Sequence, residues 1–245
     1  MRRYLLLLAL SWSACAAAPE PGAALDALAL PTATRQVIFV TTTDWDATAA
    51  IVRRFERVAD GWRAVGAPIA ATVGRSGLAW GIGRHRAADG PQKLEGDGRA
   101  PAGVFELGPA FGYAPSPPPD VALPWRQATA RDYWVDAPES PDYNAWRSIP
   151  AAEPNDPTAH WRSFERMRRD DALYEFGVVV DHNPERRPRC GSAIFLHVWS
   201  GSGRPTSGCT AMARDDLLTL LRWLRPESQP LMVQAPLGAL GAIRL

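Results

Sequence analysis

The sequence predicts a single, predominantly β domain with a few helices, and three observations carry that expectation. Short β-branched or apolar runs recur along the chain, among them Val37-Ile38-Phe39-Val40, Ile69-Ala70-Ala71-Thr72-Val73, Val178-Val179-Val180 and Ile194-Phe195-Leu196. Runs of this length between turn residues read as strands. The chain also carries 23 Pro and 10 Trp, which suit a strand-and-loop protein with aromatic surfaces better than a helical bundle. Helical periodicity is clear only near the C-terminus, where Leu217, Leu220, Leu221 and Leu224 share one face. With 245 residues, 46% hydrophobic and 22% charged, the chain can bury one core. A formal net charge of +1 argues against nucleic acid as the main partner.

The first residues are set apart from the fold. Met1-Arg2-Arg3 is a short basic segment, Tyr4 to Leu10 is apolar, and small residues follow at Ser13-Ala14-Cys15-Ala16-Ala17-Ala18. This is the pattern of a signal peptide over residues 1–18, and the apolar part is too short to span a membrane as a helix. A lipoprotein signal, with Cys15 as the lipidated first residue, is the alternative, although Trp12 stands where a small aliphatic residue is usual. Export to the periplasm or cell envelope follows, with the membrane involved only through the signal or a lipid on Cys15. Residues 19–34, Pro- and Ala-rich, read as a linker, and residues 35–245 as the domain.

Within the domain, Arg35 to Thr41 is β-branched and predicts a strand. The stretch from Ala47 to Val58 is ambiguous by period, but Asp60-Gly61 is a turn signal with Trp62-Arg63-Ala64-Val65 beyond it, so a hairpin is expected. Ile69 to Val73 predicts a further strand. From Gly81 to Gly112 the chain is rich in Gly and Pro, and the run Gly96-Asp97-Gly98-Arg99-Ala100-Pro101-Ala102-Gly103-Val104-Phe105 reads as tight turns feeding a strand. It lacks the Lys-Ser/Thr ending of a phosphate loop. Residues 114–165 read as loop-dominated, with Trp125, Trp134, Tyr143 and Trp146 either lining a groove or covering the sheet. Gly177 to Asp181 predicts a central strand and Ser192 to Val198 another. A helix from Arg214 to Leu224, with Asp215 and Asp216 in its first turn, and a last strand, Leu231 to Gln234, follow.

The chemistry-bearing residues are His197 and Cys209. A histidine near a strand end, followed after a Gly/Ser/Pro-rich loop by a cysteine preceded by Gly208, is a way to bring an imidazole beside a thiol. Such an imidazole can hold the sulfur as thiolate, its nucleophilic form. Cysteine is also among the most buried residue types, so simple packing competes with this reading. The backbone N–H groups of Gly208 and Cys209 are candidate oxyanion donors. Ser207, Arg204 and His182 are candidate substrate-binding or orienting residues, His182 more readily a surface or capping histidine. A third group orienting His197 is expected, a backbone carbonyl near Val198 or Ser207 being one source. With 3 Cys and 4 His scattered singly, no metal-ligand spacing emerges and no cofactor is indicated. In an oxidising compartment Cys190 and Cys209 could pair, which would silence Cys209.

His197, the loop, Thr206-Ser207-Gly208-Cys209 and Met212 together resemble the signature of the L,D-transpeptidase catalytic domain (YkuD) family, a histidine, a spacer, then Ser/Thr-His-Gly-Cys. The run around Ala100-Pro101-Ala102-Gly103-Val104-Phe105 resembles that family's upstream element. The resemblance spans roughly residues 36–235. This chain departs from the pattern in Ser207 where histidine is usual, in Ala211 where Asn or Arg is usual, and in a spacer of only eleven residues, 198–208. The resemblance implies a β-sandwich or barrel-like catalytic domain. It also implies an acyl transfer in which Cys209 attacks the carbonyl between meso-diaminopimelate and the terminal D-Ala of a peptidoglycan stem, with His197 as base and acid. An L,D-carboxypeptidase or amidase using the same site, or a non-catalytic wall-binding module, are the rival expectations.

Overall fold

The computed structural model describes residues 21–245. The expected signal segment and Cys15 therefore lie outside the described residues. The chain enters through a short helix, α1 (Pro21–Asp26). Leu25 is fully buried and Ala24, Leu28 and Leu30 join it in the main core. The expectation of a linker over residues 19–34 is thus corrected for residues 21–34. Their apolar side chains recur on one face, and burying that face ties the segment to the domain.

The strands follow in chain order: β1 (Gln36–Thr42), β2 (Ala49–Val58), β3 (Gly61–Thr72), β4 (Leu78–Trp80), β5 (Ala100–Gly112), β6 (Trp125–Gln127), β7 (Asp132–Val135), β8 (Ala145–Ser148), β9 (Phe164–Arg166), β10 (Phe176–Val180), β11 (Phe195–Val198), β12 (Thr210–Met212) and β13 (Leu231–Pro236), with helix α2 (Arg214–Trp223) between the last two. The ambiguous stretch is β2, and it forms the expected hairpin with β3, Val58 opposite Gly61. The two strands expected over residues 62–73 are one long strand whose register with β2 shifts between Val52 and Arg54.

The main sheet runs β10-β11-β12-β3-β2-β1-β13-β5, and β5 pairs again with β10, so the sheet closes into a barrel. Closure leaves no open edge along that ring and turns the inward side chains into one core. Val37, Ile38, Phe39 and Val40 of β1, Val104 and Phe105 of β5, and Met232 and Val233 of β13 are buried there. The strand β10, expected to be central, has neighbours on both sides, antiparallel to β5 and to β11. Helix α2 packs Leu217, Leu220 and Leu221 inward, as their spacing predicts, and Asp215 and Asp216 lie in its first turn.

The region expected to be loop-dominated, residues 114–165, is more ordered than that. It holds β6 and much of a separate three-stranded sheet, β8-β7-β9. These strands are only 3 or 4 residues long, too short to show a period in sequence. Their aromatics are packed rather than displayed. Trp146 stacks edge-on against Phe111 at 5.8 Å and Trp134 against Phe195 at 5.0 Å, while buried Tyr143 donates its hydroxyl to Glu95. Covering the barrel is therefore what these side chains do.

If α1 belongs to the fold, Leu25→Ala should lower the unfolding free energy measured by urea titration by the cost of a core truncation, about 2–5 kcal/mol. A change within about 0.5 kcal/mol, the scale of surface substitutions, would return residues 21–34 to linker status.

Candidate active site

The position of His197 and Cys209 follows from one strand pairing. β11 and β12 are parallel, with Leu196 opposite Thr210 and His197 opposite Ala211. Side chains alternate along a strand, so Cys209, two residues before Ala211, projects to the same face as His197. The two are diagonal neighbours on adjacent strands. Both line a cavity of about 350 Å³ together with Glu165, Arg169, Tyr174, Arg204, Ser207 and Arg75. A larger concavity of about 470 Å³, with Arg84, Glu106, Pro124 and Pro230 among its residues, is lined by no cysteine or histidine.

His197 is 7% exposed. Its Nδ1 lies 2.8 Å from the Val198 carbonyl oxygen. A carbonyl can only accept, so Nδ1 carries the proton and Nε2 is left with its lone pair, the form a general base needs. The backbone carbonyl of Val198 is therefore the group that orients the ring. Tyr174 packs edge-to-face on the imidazole at 5.2 Å and fixes the other ring direction. Burial, the largest influence, holds the imidazole neutral with its pKa lowered to about 4.

Cys209 is 6% exposed, and its thiol is held by β11 rather than by the imidazole. Sγ donates to the Ala193 carbonyl oxygen at 3.3 Å and accepts from the Phe195 N–H at 3.3 Å. Burial pushes the thiol pKa well up and the nearby Glu165 carboxyl adds to this. The resting pair is thus thiol and neutral imidazole, in contrast to the thiolate expected from sequence. In an apolar pocket an ion pair costs more than two neutral partners.

The turn before the nucleophile is built around Thr206. Its hydroxyl donates to the Cys209 carbonyl oxygen at 2.6 Å and accepts from the Gly208 N–H at 3.1 Å. Of the two expected oxyanion donors, Gly208 is accordingly occupied by the turn, and the Cys209 N–H is the one without a partner among the described residues. A Cβ on Gly208 would sit 3.1 Å from the Arg99 carbonyl oxygen, so glycine lets the two backbones approach. Arg99 is itself anchored by its guanidinium to the carbonyls of Trp45 and Leu78 and to Asp46. The glycine-rich run therefore serves as the fixed wall behind the nucleophile.

Ser207 and Arg204 are exposed residues on the cavity rim. His182 is elsewhere and neither surface nor capping. It is 2% exposed, its Nδ1 accepts from the Ile82 N–H at 3.1 Å and its Nε2–H donates to the Cys190 carbonyl oxygen at 2.9 Å. It braces two loops and does not line the cavity. Cys190 and Cys209 are both free thiols, Cys190 half-buried. Among the described residues no group of three or more His, Cys, Asp or Glu is arranged to hold a metal ion. Sequence reasoning missed Glu165, Arg169, Tyr174 and Arg75, which come from distant segments with no motif spacing.

A model of the L,D-transpeptidase catalytic domain family (YkuD) matches residues 48–233. Two solved structures are similar. The helical cell shape determining protein Pgp2 from Campylobacter jejuni is 13% identical with a TM-score of 0.40, over 82% of this chain and 48% of that one. Bd1075 from Bdellovibrio bacteriovorus is 13% identical with a TM-score of 0.45, over 91% of this chain and 54% of that one. This chain thus spans about half the length of each solved protein. No curated protein matches.

Two measurements test the electrostatics. At neutral pH iodoacetamide should modify half-buried Cys190 before Cys209, and Cys209 labelling should climb with alkaline pH; preferential labelling of Cys209 at neutral pH would reveal a resting thiolate. Both His182 and His197 have folded pKa values of about 4 against 6.5 for a free histidine. The unfolded chain binds more protons in that window, so their contribution is complete above pH 6.5 and is lost as pH falls through about 4. Each contributes roughly 3 kcal/mol at most. Urea midpoints measured from pH 7 to 4 should fall steeply, and less steeply in His182→Gln; equal slopes would remove His182 from the account.

Proposed function

This chain belongs to the L,D-transpeptidase catalytic domain (YkuD) family, and from that premise we propose that it is an exported cysteine acyltransferase acting on peptidoglycan stem peptides. The observation that carries the proposal is the common wall on which His197 and Cys209 meet, at the head of a cavity of about 350 Å³. That volume is in the range of sites that enclose a small ligand or a few residues of peptide.

The reaction runs in two steps. Cys209 Sγ attacks the carbonyl between diaminopimelate and D-Ala as its proton passes to Nε2 of His197. Because the resting thiol is neutral and buried, attack and proton transfer are coupled, which avoids a free thiolate in an apolar pocket. The negative oxygen of the tetrahedral intermediate meets the unpartnered N–H of Cys209. The C–N bond then breaks, and His197 returns the proton to the departing D-Ala amine, leaving a thioester on Cys209. The amine of a second stem resolves the thioester, loses its proton to His197, and leaves the sulfur as thiol. The fixed Nδ1–H bond to Val198 keeps Nε2 on the reacting side throughout. The signal-like pattern of residues 1–18 supports export to the periplasm, where such stems are found.

The test is product analysis. Reduced protein with a disaccharide tetrapeptide should yield a cross-linked dimer with release of D-Ala, and none with Cys209→Ala. His197→Ala should slow D-Ala release by about 10²–10⁴-fold, the range for loss of a general base. Tripeptide with no dimer would move the assignment to an L,D-carboxypeptidase, and D-Ala release surviving in Cys209→Ala would end the thioester mechanism.

A further inference from the structure

Glu165 is the cavity residue that the mechanism leaves unused. It lies in β9, half-buried, on the wall shared with Tyr174, His197 and Cys209. The Tyr174 hydroxyl donates to its Oε2, and among the described residues no cation pairs with it within 4.0 Å. Arg169, the guanidinium on the same wall, is taken instead by Asp171, with contacts of 2.9–3.1 Å to both carboxylate oxygens. The other acidic groups acting on Glu165 are Asp136 and Glu95, of like sign. Burial with these neighbours raises its pKa, and its charge in turn opposes ionisation of Cys209. A carboxylate without a counter-charge, next to a thiol that must give up its proton, is unfavourable on both counts. A cation arriving with the substrate removes both objections. At the rim the position is reversed, because exposed Arg75 and Arg204 have no carboxylate partner among the described residues.

We propose that Glu165 is the specificity-determining residue that receives the side-chain ammonium of the acyl-donor residue, while Arg75 and Arg204 face the carboxylates of the same stem. This rests on the acyl-transfer reading above. An ammonium on Glu165 gains a charge-assisted hydrogen bond, and it cancels the field that opposes loss of the Cys209 proton. Donors lacking that amine are then disfavoured in binding and again in reaction.

The experiment measures binding apart from turnover. Cys209→Ala protein is titrated calorimetrically with three tetrapeptide stems that differ at the donor residue: diaminopimelate with ammonium and carboxylate, lysine with ammonium only, and 2-aminopimelate with carboxylate only. The diaminopimelate stem should bind at least about tenfold tighter than the aminopimelate stem, from which it differs only in the ammonium; that is the scale of one hydrogen bond to a charged group. The lysine stem reads the loss of the carboxylate alone. Adding Glu165→Gln, which keeps an oxygen acceptor for Tyr174, should erase that preference and leave aminopimelate affinity unchanged. Equal loss for all three stems would make Glu165 a mere support for Tyr174 and overturn the proposal. If the Gln variant does not fold by thermal melting, the single Cys209→Ala protein still decides, since equal affinity for diaminopimelate and aminopimelate stems overturns the proposal. Discrimination in binding with no D-Ala release by the unsubstituted protein would sink the acyl-transfer reading and leave the ammonium site standing. No binding of any stem would overturn both.

Discussion

The parallel pairing of β11 with β12 is the constraint on which the site depends. Parallel neighbours need a crossover, ordinarily of a dozen or more residues and often a helix. Here residues 199–209 make the return, eleven in all, with no helix. So short a connection has little slack, and it is fixed along its length. The Thr206 N–H donates to the Val73 carbonyl oxygen and the Arg75 N–H to that of Thr206, at 2.9 and 2.8 Å. The Thr72 hydroxyl holds the Arg204 carbonyl oxygen at 2.9 Å. The end of β3 thus serves as the splint for the loop. A one-residue slip would turn Cys209 to the opposite face from His197, so the chemistry is tied to the register of the whole barrel.

The same burial that secures the register sets the electrostatics. His197 and Cys209 lie under a layer of Phe111, Tyr174 and Phe195 in mutual edge-to-face contact. Such surroundings penalise charge on either partner. They leave the imidazole as a strong proton acceptor only when the sulfur is already forming a bond to carbon. A buried neutral pair has a further consequence under oxidising conditions, because a thiol that is not a thiolate is slow to oxidise.

Much of this was legible in the sequence, and the limits are physical. His197, Gly208 and Cys209 announce themselves because the chemistry lies within a few residues of one turn. The β-branched runs announce the barrel strands because alternation or continuous apolarity survives in a strand of five or more residues. Short strands such as Phe164–Arg166 carry no such signal. Glu165 and Tyr174 were invisible because a single carboxylate and a single phenol in a polar stretch look like any surface pair until the fold brings them to Cys209. His182 misled in the other direction. An Asp-His-Asn triplet looks exposed, yet burial of its imidazole is offset by two backbone partners, Cys190 eight residues along the same loop and Ile82 a hundred residues away. Residues 21–34 misled through composition, since a Pro- and Ala-rich opening masks the four apolar side chains that dock.

The placement of Glu165 also separates the two tasks of the molecule. His197 sits on β11 and Cys209 at the residue that leads into β12, whereas Glu165 and the wall around it belong to the excursion between β5 and β10. The ends of that excursion are adjacent, because Gly112 pairs with Phe176. A long insertion between paired residues costs little more closure entropy than a short one, since the cost grows only as the logarithm of length. Strand register in the barrel is set by β5 and β10 themselves, whatever lies between them. Changes within residues 113–175 that leave Tyr174 on the imidazole can therefore reshape the cavity wall while His197 and Cys209 keep their geometry. The departures at Ser207 and Ala211 do not share this freedom, because they lie on the turn and strand that carry the nucleophile.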